Sequence, residues 1–273
     1  MTRDNEFQPN PAELIDIEPL SFDTKLYRLR FVDDEVQQAF SFTPGQFVEI
    51  SVAGAGEAPI SLTSPPHVTD HFELCIKTVG RLTNLLAGKT VGDRVGVRGP
   101  YGIGFPLDHL LGRDIVFIAG GIGLAPLRSL IKTVLAAPEQ YGNLHILYGA
   151  RGPEHIIFRE DLEAWRRQAT VHITVDEGDA DWTGNVGFVS DLVASLDLPR
   201  RARAVVCGPP AMFKPTVAEL QNQDVKEVNI AVSVERRMKC GIGKCGNCIA
   251  GGETYVCLEG PVFTYEEYQE LSL

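Results

Sequence analysis

Asp114-Ile-Val-Phe-Ile-Ala119-Gly120-Gly121-Ile122-Gly123-Leu124-Ala125-Pro126 passes from an unbroken apolar stretch, through a glycine-rich turn, into a second apolar segment. Beyond the turn, Leu124, Leu127, Leu130, Ile131, Val134 and Leu135 recur at three- and four-residue spacing, which predicts a helix with one buried face. A strand without a polar face must be covered on both sides. The pattern then repeats. Leu144 to Tyr148 reads as a strand and Phe158, Leu162 and Trp165 as a helix face, with further strands at Val171 to Val175, Ala204 to Cys207 and Val228 to Val234. Strands alternating with helices predict a parallel sheet between two helical layers.

Upstream the period is two. Leu14, Ile15 and Ile17 open the series, followed by Leu26, Leu29 and Phe31, then Phe47, Val48, Ile50 and Val52. Phe72, Leu74 and Ile76 alternate strictly, and Val95 and Val97 close it. Such segments, punctuated by turns like Thr43-Pro44-Gly45, predict an antiparallel barrel or sandwich with one short helix at Leu82 to Ala87. The expected division is an antiparallel β-barrel domain over residues 8–108, an α/β parallel-sheet nucleotide-binding domain over 109–230, and a cysteine-bearing C-terminal segment over 231–273.

Composition narrows the function classes. Lys and Arg number 25 against 36 Asp and Glu, a net charge of −11, so no basic stripe is available to neutralise a nucleic-acid backbone. Met1 to Asn10 is polar and lacks the apolar core of a signal peptide, and no apolar run approaches the ~20 residues of a membrane helix. The expectation is a cytoplasmic protein that binds no nucleic acid and does not span a membrane.

Four of the six cysteines fall in Cys240-Gly-Ile-Gly-Lys-Cys245-Gly-Asn-Cys248 and at Cys257, a C-x4-C-x2-C-x8-C spacing. Thiols this dense point to a metal. The first three match the plant-type ferredoxin ligand spacing, and the glycines between them let a loop curl with its N–H groups toward sulfur. Structural zinc is the competing reading, although it usually takes two C-x2-C pairs and only Cys245 and Cys248 form one. A disulfide pair would need an oxidising compartment. Cys75 and Cys207 lie in apolar strand-like runs and read as buried thiols.

Other segments carry chemistry only in combination. Gly120, Gly121 and Gly123, with Pro126 at the helix start, stand where α/β sheets bind phosphates with bare N–H groups. Cys207-Gly208-Pro209-Pro210 ends a later strand at the same edge. Ala58-Pro59-Ile60-Ser61-Leu62-Thr63-Ser64 follows a barrel strand, and Gly80-Arg81-Leu82-Thr83-Asn84 opens a helix that offers N–H groups and a hydroxyl to an anion. Each alone is an ordinary turn.

Together these segments resemble the ferredoxin–NADP⁺ reductase superfamily over nearly the whole chain. The Gly-Gly-x-Gly-x-x-Pro and Cys-Gly-Pro-Pro motifs carry the resemblance, and the appended cysteines narrow it to the iron–sulfur flavoprotein branch. That branch includes the gamma subunits of cytoplasmic nickel–iron hydrogenases (sulfhydrogenases) and the electron-transfer subunit of dihydroorotate dehydrogenase. A component of anaerobic sulfite reductase and the small subunit of the bifurcating ferredoxin:NADP oxidoreductase also belong to it. Glu57 to Ser64 and Val234 to Gly243 look most like the hydrogenase gamma subunits.

The resemblance implies FAD on the barrel, NAD(H) or NADP(H) on the α/β domain and a [2Fe–2S] cluster at Cys240, Cys245, Cys248 and Cys257. It implies an NAD(P)H oxidoreductase (diaphorase) subunit passing electrons to another redox subunit, with the cofactors and no catalytic side chain doing the chemistry. Its flavin motif R-x-[YF]-[ST] falls on Ala58, Pro59, Ile60 and Ser61, where only the Ser matches. Thr63, Gly80, Leu82 and Thr83 complete the expected flavin site. Arg81 or Arg98 is the candidate for the missing charge and Tyr101 for the missing aromatic face. Gly120, Gly121, Gly123, Pro126, Arg151, Cys207, Gly208 and Pro209 are the expected nicotinamide site. Asp176, with Glu177 and Asp179, stands where relatives place the adenosine ribose, and three carboxylates there favour NADH over a 2′-phosphate. The alternatives are service to a dihydroorotate dehydrogenase, sulfite reductase or ferredoxin:NADP oxidoreductase, a stand-alone reductase, or an adaptor that holds no flavin.

Overall fold

The computed structural model describes residues 5–271, so the first four residues of the polar opening and the last two of the 231–273 segment lie outside it. Six strands form the first sheet: β1 (Asn10–Pro19), β2 (Thr24–Phe31), β3 (Phe47–Val52), β4 (Gly56–Ser61), β5 (Phe72–Lys77) and β6 (Arg94–Tyr101). They run antiparallel in the order β4-β3-β6-β1-β2-β5. The ends close on each other through a Leu62–Leu74 bridge, with the Thr63 N–H donating to the Glu73 carbonyl at 2.9 Å, so the sheet is a barrel. Val48, Ile50, Leu29, Leu74 and Val97 point inward and are fully buried, as the period-two pattern requires. The short helices α1 (Asp34–Ala39) and α2 (Arg81–Ala87) lie beside it, and α2 seals one end with Leu82 and Leu86.

The second sheet contains β7 (Ile115–Gly120), β8 (Leu144–Ala150), β9 (Thr170–Val175), β10 (Asn185–Val186), β11 (Arg203–Cys207), β12 (Ile230–Ser233) and, near the end of the chain, Val262–Thr264. The helices between them are α3 (Leu124–Leu135), α4 (Arg159–Trp165), α5 (Val189–Ala194) and α6 (Pro210–Asn222). α3 and α4 cover one face, α5 and α6 the other. The order β10-β9-β8-β7-β11-β12 is parallel, and the chain winds outward in both directions from β7. Ligands of open α/β sheets bind outside the strand ends at such a reversal.

After β12 the chain makes a small hairpin, β13 (Ile249–Ala250) and β14 (Thr254–Tyr255), and a turn of helix, α7 (Val256–Glu259). It then returns as β15 (Val262–Thr264), antiparallel to β12, and ends in α8 (Tyr265–Glu270). The cysteine loop therefore leaves and rejoins one sheet. Its neck is closed by the Val234 N–H donating to the Pro261 carbonyl at 2.9 Å. Both cores cross the domain junction: Leu26, Cys75 and Phe105 pack with α3, and Phe47 packs with Cys248, Cys257 and α6. Among the described residues no helix is long and apolar enough to cross a membrane.

Candidate active site

The glycines at the ends of β7 and β11 are required by closeness. A Cβ on Gly123 would stand 2.3 Å from the Cys207 carbonyl oxygen, and one on Gly208 would lie 3.1 Å from Gly120 Cα. Gly121 turns the chain at φ +55°, where a side chain is strained. These two turns floor a cleft of about 390 Å³, a size suited to part of a dinucleotide. Asp23, Thr24 and Lys77 of the barrel wall it on one side, Arg151 and His155 on another, and Val234 and Glu235 lead out of it toward the cysteines.

The predicted nicotinamide residues separate by what they offer. Gly120, Gly121, Gly123, Gly208, Pro209 and Arg151 line the cleft. Pro126 is buried in the first turn of α3 and Cys207 is 2% exposed, its thiol pushed up to about 12 by burial, so Cys207 offers main chain only. Asp176 is exposed outside the cleft lining, and the acidic loop is fastened beside Arg151 by the Glu177 N–H donating to the Arg151 carbonyl at 3.0 Å. Sequence reasoning does not reach Asp23, Lys77 and His155. Lys77 Nζ lies 3.1 Å from Asp23, and burial, which alone would raise the Asp23 carboxyl, is outweighed by hydrogen bonds from Thr24, Lys77 and Ser21. A charged pair on adjacent strand ends carries no local sequence signal.

On the barrel, Pro59, Ile60 and Ser61 lie on edge strand β4, half-buried, opposite Glu49, Val48 and Phe47. Space is open where a Cβ would stand on Gly80. The Thr83 hydroxyl accepts from the Val79 and Gly80 N–H groups at 3.0 and 2.9 Å, and Leu82 points into the barrel core. The start of α2 therefore presents backbone. Thr63 is fully buried at the domain junction, its hydroxyl donating to the Ser61 carbonyl at 3.4 Å. Of the two arginines expected to replace the missing charge, Arg81 is exposed and donates to the Gly54 carbonyl at 2.8 Å. Arg98 is committed elsewhere. It forms a two-point pair with Glu57 and donates to the Tyr101 hydroxyl and the Cys240 carbonyl, both at 2.9 Å. Tyr101 lies against Phe47 and beneath Gly241, where a Cβ would meet its ring at 2.5 Å.

The cysteine loop has the form its glycines predict. Gly241, Gly243 and Gly246 all take positive φ, and the Gly243 and Lys244 N–H groups donate to the sulfurs of Cys257 and Cys240 at 3.3 and 3.4 Å. The four thiols neighbour one another: Cys245 lies beside Cys240, and Cys257 beside Cys248 and near Cys240. Hydrogen bonds from Asn247 bring the exposed Cys245 down to about 7, while burial and then the neighbouring Cys248 push Cys257 up to about 12. Among the described residues no three of His, Cys, Asp and Glu converge on one point as ligands of a single ion. Clustered thiols with N–H groups turned toward their sulfurs suit an iron–sulfur centre.

Comparison with known proteins agrees with this layout. The family model for an oxidoreductase FAD-binding domain matches residues 11–104, that for an oxidoreductase NAD-binding domain matches 117–218, and that for the iron–sulfur cluster binding domain of dihydroorotate dehydrogenase B matches 235–269. Sulfhydrogenase 1 subunit gamma of Pyrococcus furiosus is 39% identical, covering 97% of this chain and 94% of that one. A probable dihydroorotate dehydrogenase B (NAD(+)) electron transfer subunit of the same organism is 37% identical over 84% of this chain and 82% of its own. Among solved structures, an NADH-dependent reduced ferredoxin-NADP oxidoreductase superimposes with a TM-score of 0.77 at 25% identity, covering 99% of this chain and 93% of that one.

Proposed function

The chain belongs to the iron–sulfur flavoprotein branch of the ferredoxin–NADP⁺ reductase superfamily, with the sulfhydrogenase gamma and dihydroorotate dehydrogenase electron-transfer subunits, and from that premise we propose how its parts work together. It is an NAD(P)H flavoprotein oxidoreductase subunit with FAD-binding, NAD-binding and iron–sulfur-binding domains. FAD, when bound, supplies the conversion between two-electron exchange with a nicotinamide and one-electron exchange with the iron–sulfur centre.

The chain's own residues bind, orient and insulate. Gly120, Gly121, Gly123, Gly208 and Pro209 let a dinucleotide approach backbone at the sheet reversal, with Arg151 at its phosphates. Pro59, Ile60 and Ser61 of β4 and the backbone of Gly80 to Thr83 would hold FAD. Cys240, Cys245, Cys248 and Cys257 would hold a [2Fe–2S] cluster, a reading supported by their C-x4-C-x2-C-x8-C spacing and the N–H groups turned toward sulfur. The exposed carboxylates at Asp176, Glu177 and Asp179 favour NADH over NADPH. The partner is another redox subunit, and coverage of 97% by a sulfhydrogenase gamma relative against 84% by a dihydroorotate dehydrogenase relative favours a hydrogenase complex.

One observation carries the reading. Val234 and Glu235 line the nicotinamide cleft, and the same strand end runs on to Cys240, whose carbonyl rests on barrel residue Arg98. All three domains meet there. Anaerobic purification tests it: the expected protein is yellow, holds two irons and one FAD, and reduces viologen dyes faster with NADH than with NADPH. Zinc in place of iron, or a colourless protein, overturns it. A clear NADPH preference overturns the role given to Asp176 alone.

A further inference from the structure

Arg98 is 3% exposed on β6, and all three guanidinium nitrogens are engaged. Nε and Nη2 grip Glu57 on β4 at 2.9 and 2.6 Å. Nη1 donates to the Tyr101 hydroxyl and to the Cys240 carbonyl, 142 residues away in sequence. A second carboxyl group, Glu49, faces Arg98 across the β3–β6 register, fully buried and with no hydrogen-bond partner on either oxygen. A fixed charge cluster thus lies under the first cysteine of the loop, on the barrel side.

We propose that Arg98 is a positioning residue that seats the cysteine loop on the barrel and, balanced by Glu57, sets the reduction potential of the centre held at Cys240, Cys245, Cys248 and Cys257. The inference rests on reading those cysteines as cluster ligands. Buried charge and hydrogen bonds to ligand residues are levers on the potential of such centres. A guanidinium is always charged, and its planar fork grips a carboxylate at two points while still donating to a carbonyl, a fixed geometry that the point charge of an ammonium does not reproduce. With Arg98 buried and Glu57 only partly exposed, removing one member of the pair leaves the charge of the other poorly compensated. An uncompensated carboxylate disfavours arrival of an electron, and an uncompensated guanidinium favours it. The two removals must therefore shift the potential in opposite directions. A purely structural clasp predicts otherwise, since losing either partner loosens the same contact.

The test is an EPR-monitored redox titration of the full chain, purified with its cofactors under anaerobic conditions. Arg98→Gln is expected to lower the cluster potential relative to wild type and Glu57→Gln to raise it. Arg98→Lys is expected to stay nearer wild type than Arg98→Gln, with broadened EPR lines from a less fixed loop. Arg94→Gln, an exposed change on the same strand, is the control and leaves the potential in place. Shifts of the same sign in the first two variants, or none, overturn the inference while iron and flavin contents uphold the function above. Wild-type protein without iron overturns both. Where Arg98→Gln does not accumulate as folded protein, Glu57→Gln decides: an upward shift supports the proposal and an unchanged potential overturns it.

Discussion

Arg128 of α3 meets Glu73 of β5 at 2.5 Å across the domain junction, with both side chains buried. The same guanidinium reaches Asp161 of α4 and the Thr63 carbonyl, and Ser129 donates to the Ser64 carbonyl at 2.7 Å. The helix that leaves the glycine turn is thereby fastened to the chain just after β4. Removing one partner strands a buried charge, which costs about 3–5 kcal/mol. Arg128→Met should lose that much in urea unfolding. Arg128→Met combined with Glu73→Leu should lose clearly less than the sum of the two single changes.

Acid should loosen this junction first. Burial alone would raise the Glu73 carboxyl, but Arg128 and Arg28 outweigh it and hold it below its ordinary value of 4.5. The folded state then binds fewer protons at Glu73 than the unfolded state. Its stabilisation is complete above pH 4.5 and is lost as pH falls through the depressed value. Unfolding midpoints of Glu73→Gln measured from about pH 7 downward should fall less steeply than those of wild type.

Glu49 should act in the opposite sense. Burial raises its carboxyl to about 7, so the folded state holds a proton there that the unfolded chain releases near 4.5. Its contribution is full below pH 4.5 and declines until pH passes about 7. Glu49→Gln should match wild type near pH 4.5 and exceed it at about pH 8, by roughly 3 kcal/mol at most. Equal stability at the higher pH would show that the carboxyl finds a partner in solution.

A methyl group at Gly123 tests the cleft. Its neighbours are the carbonyl oxygen and carbon of Cys207 at 2.3 and 2.6 Å, which are backbone and cannot swing aside. Gly123→Ala should displace the β7–α3 turn and slow NADH-driven flavin reduction by about 100-fold, as expected for a misplaced reactant. Flavin and iron contents should hold. Unchanged reduction kinetics would remove the turn from the nicotinamide site.

Cysteine substitutions separate ligands from core. Cys245→Ser should lose most of its iron yet still pass electrons from NADH to ferricyanide through flavin. Cys75→Ser should retain iron, because Cys75 is buried in the barrel strand β5, remote in the chain from the loop, with a thiol that burial pushes well above its ordinary value. Iron loss in both variants would break the assignment.

Much of this architecture is legible in the sequence because side-chain period reports burial directly. The strands around Phe47, Phe72 and Ile115 stand where alternation or continuous apolarity places them. β4 escapes such reading because Gly56 and Pro59 carry turn chemistry; Pro is tolerated there because β4 is an edge strand. β15 has three residues, too few for any period. The cysteine spacing and glycine turns are readable since their chemistry is local. Arg98 is legible only as a positive charge, because its carboxylate partner lies 41 residues away and its carbonyl partner 142. Glu49 has the pattern of a solvent-facing member of an alternating strand, yet it is fully buried between β4 and β6, opposite Pro59 and Arg98.

The closed neck between Val234 and Pro261 has a modular consequence. Ser233 and Val262 are direct neighbours in the sheet, so everything between them is an insert whose ends already touch. A short turn joining those two residues would leave each ladder of the α/β sheet intact while removing all four cysteines. The cysteine-bearing segment is in this sense a detachable cartridge, carried on a scaffold whose own ladders do not depend on it.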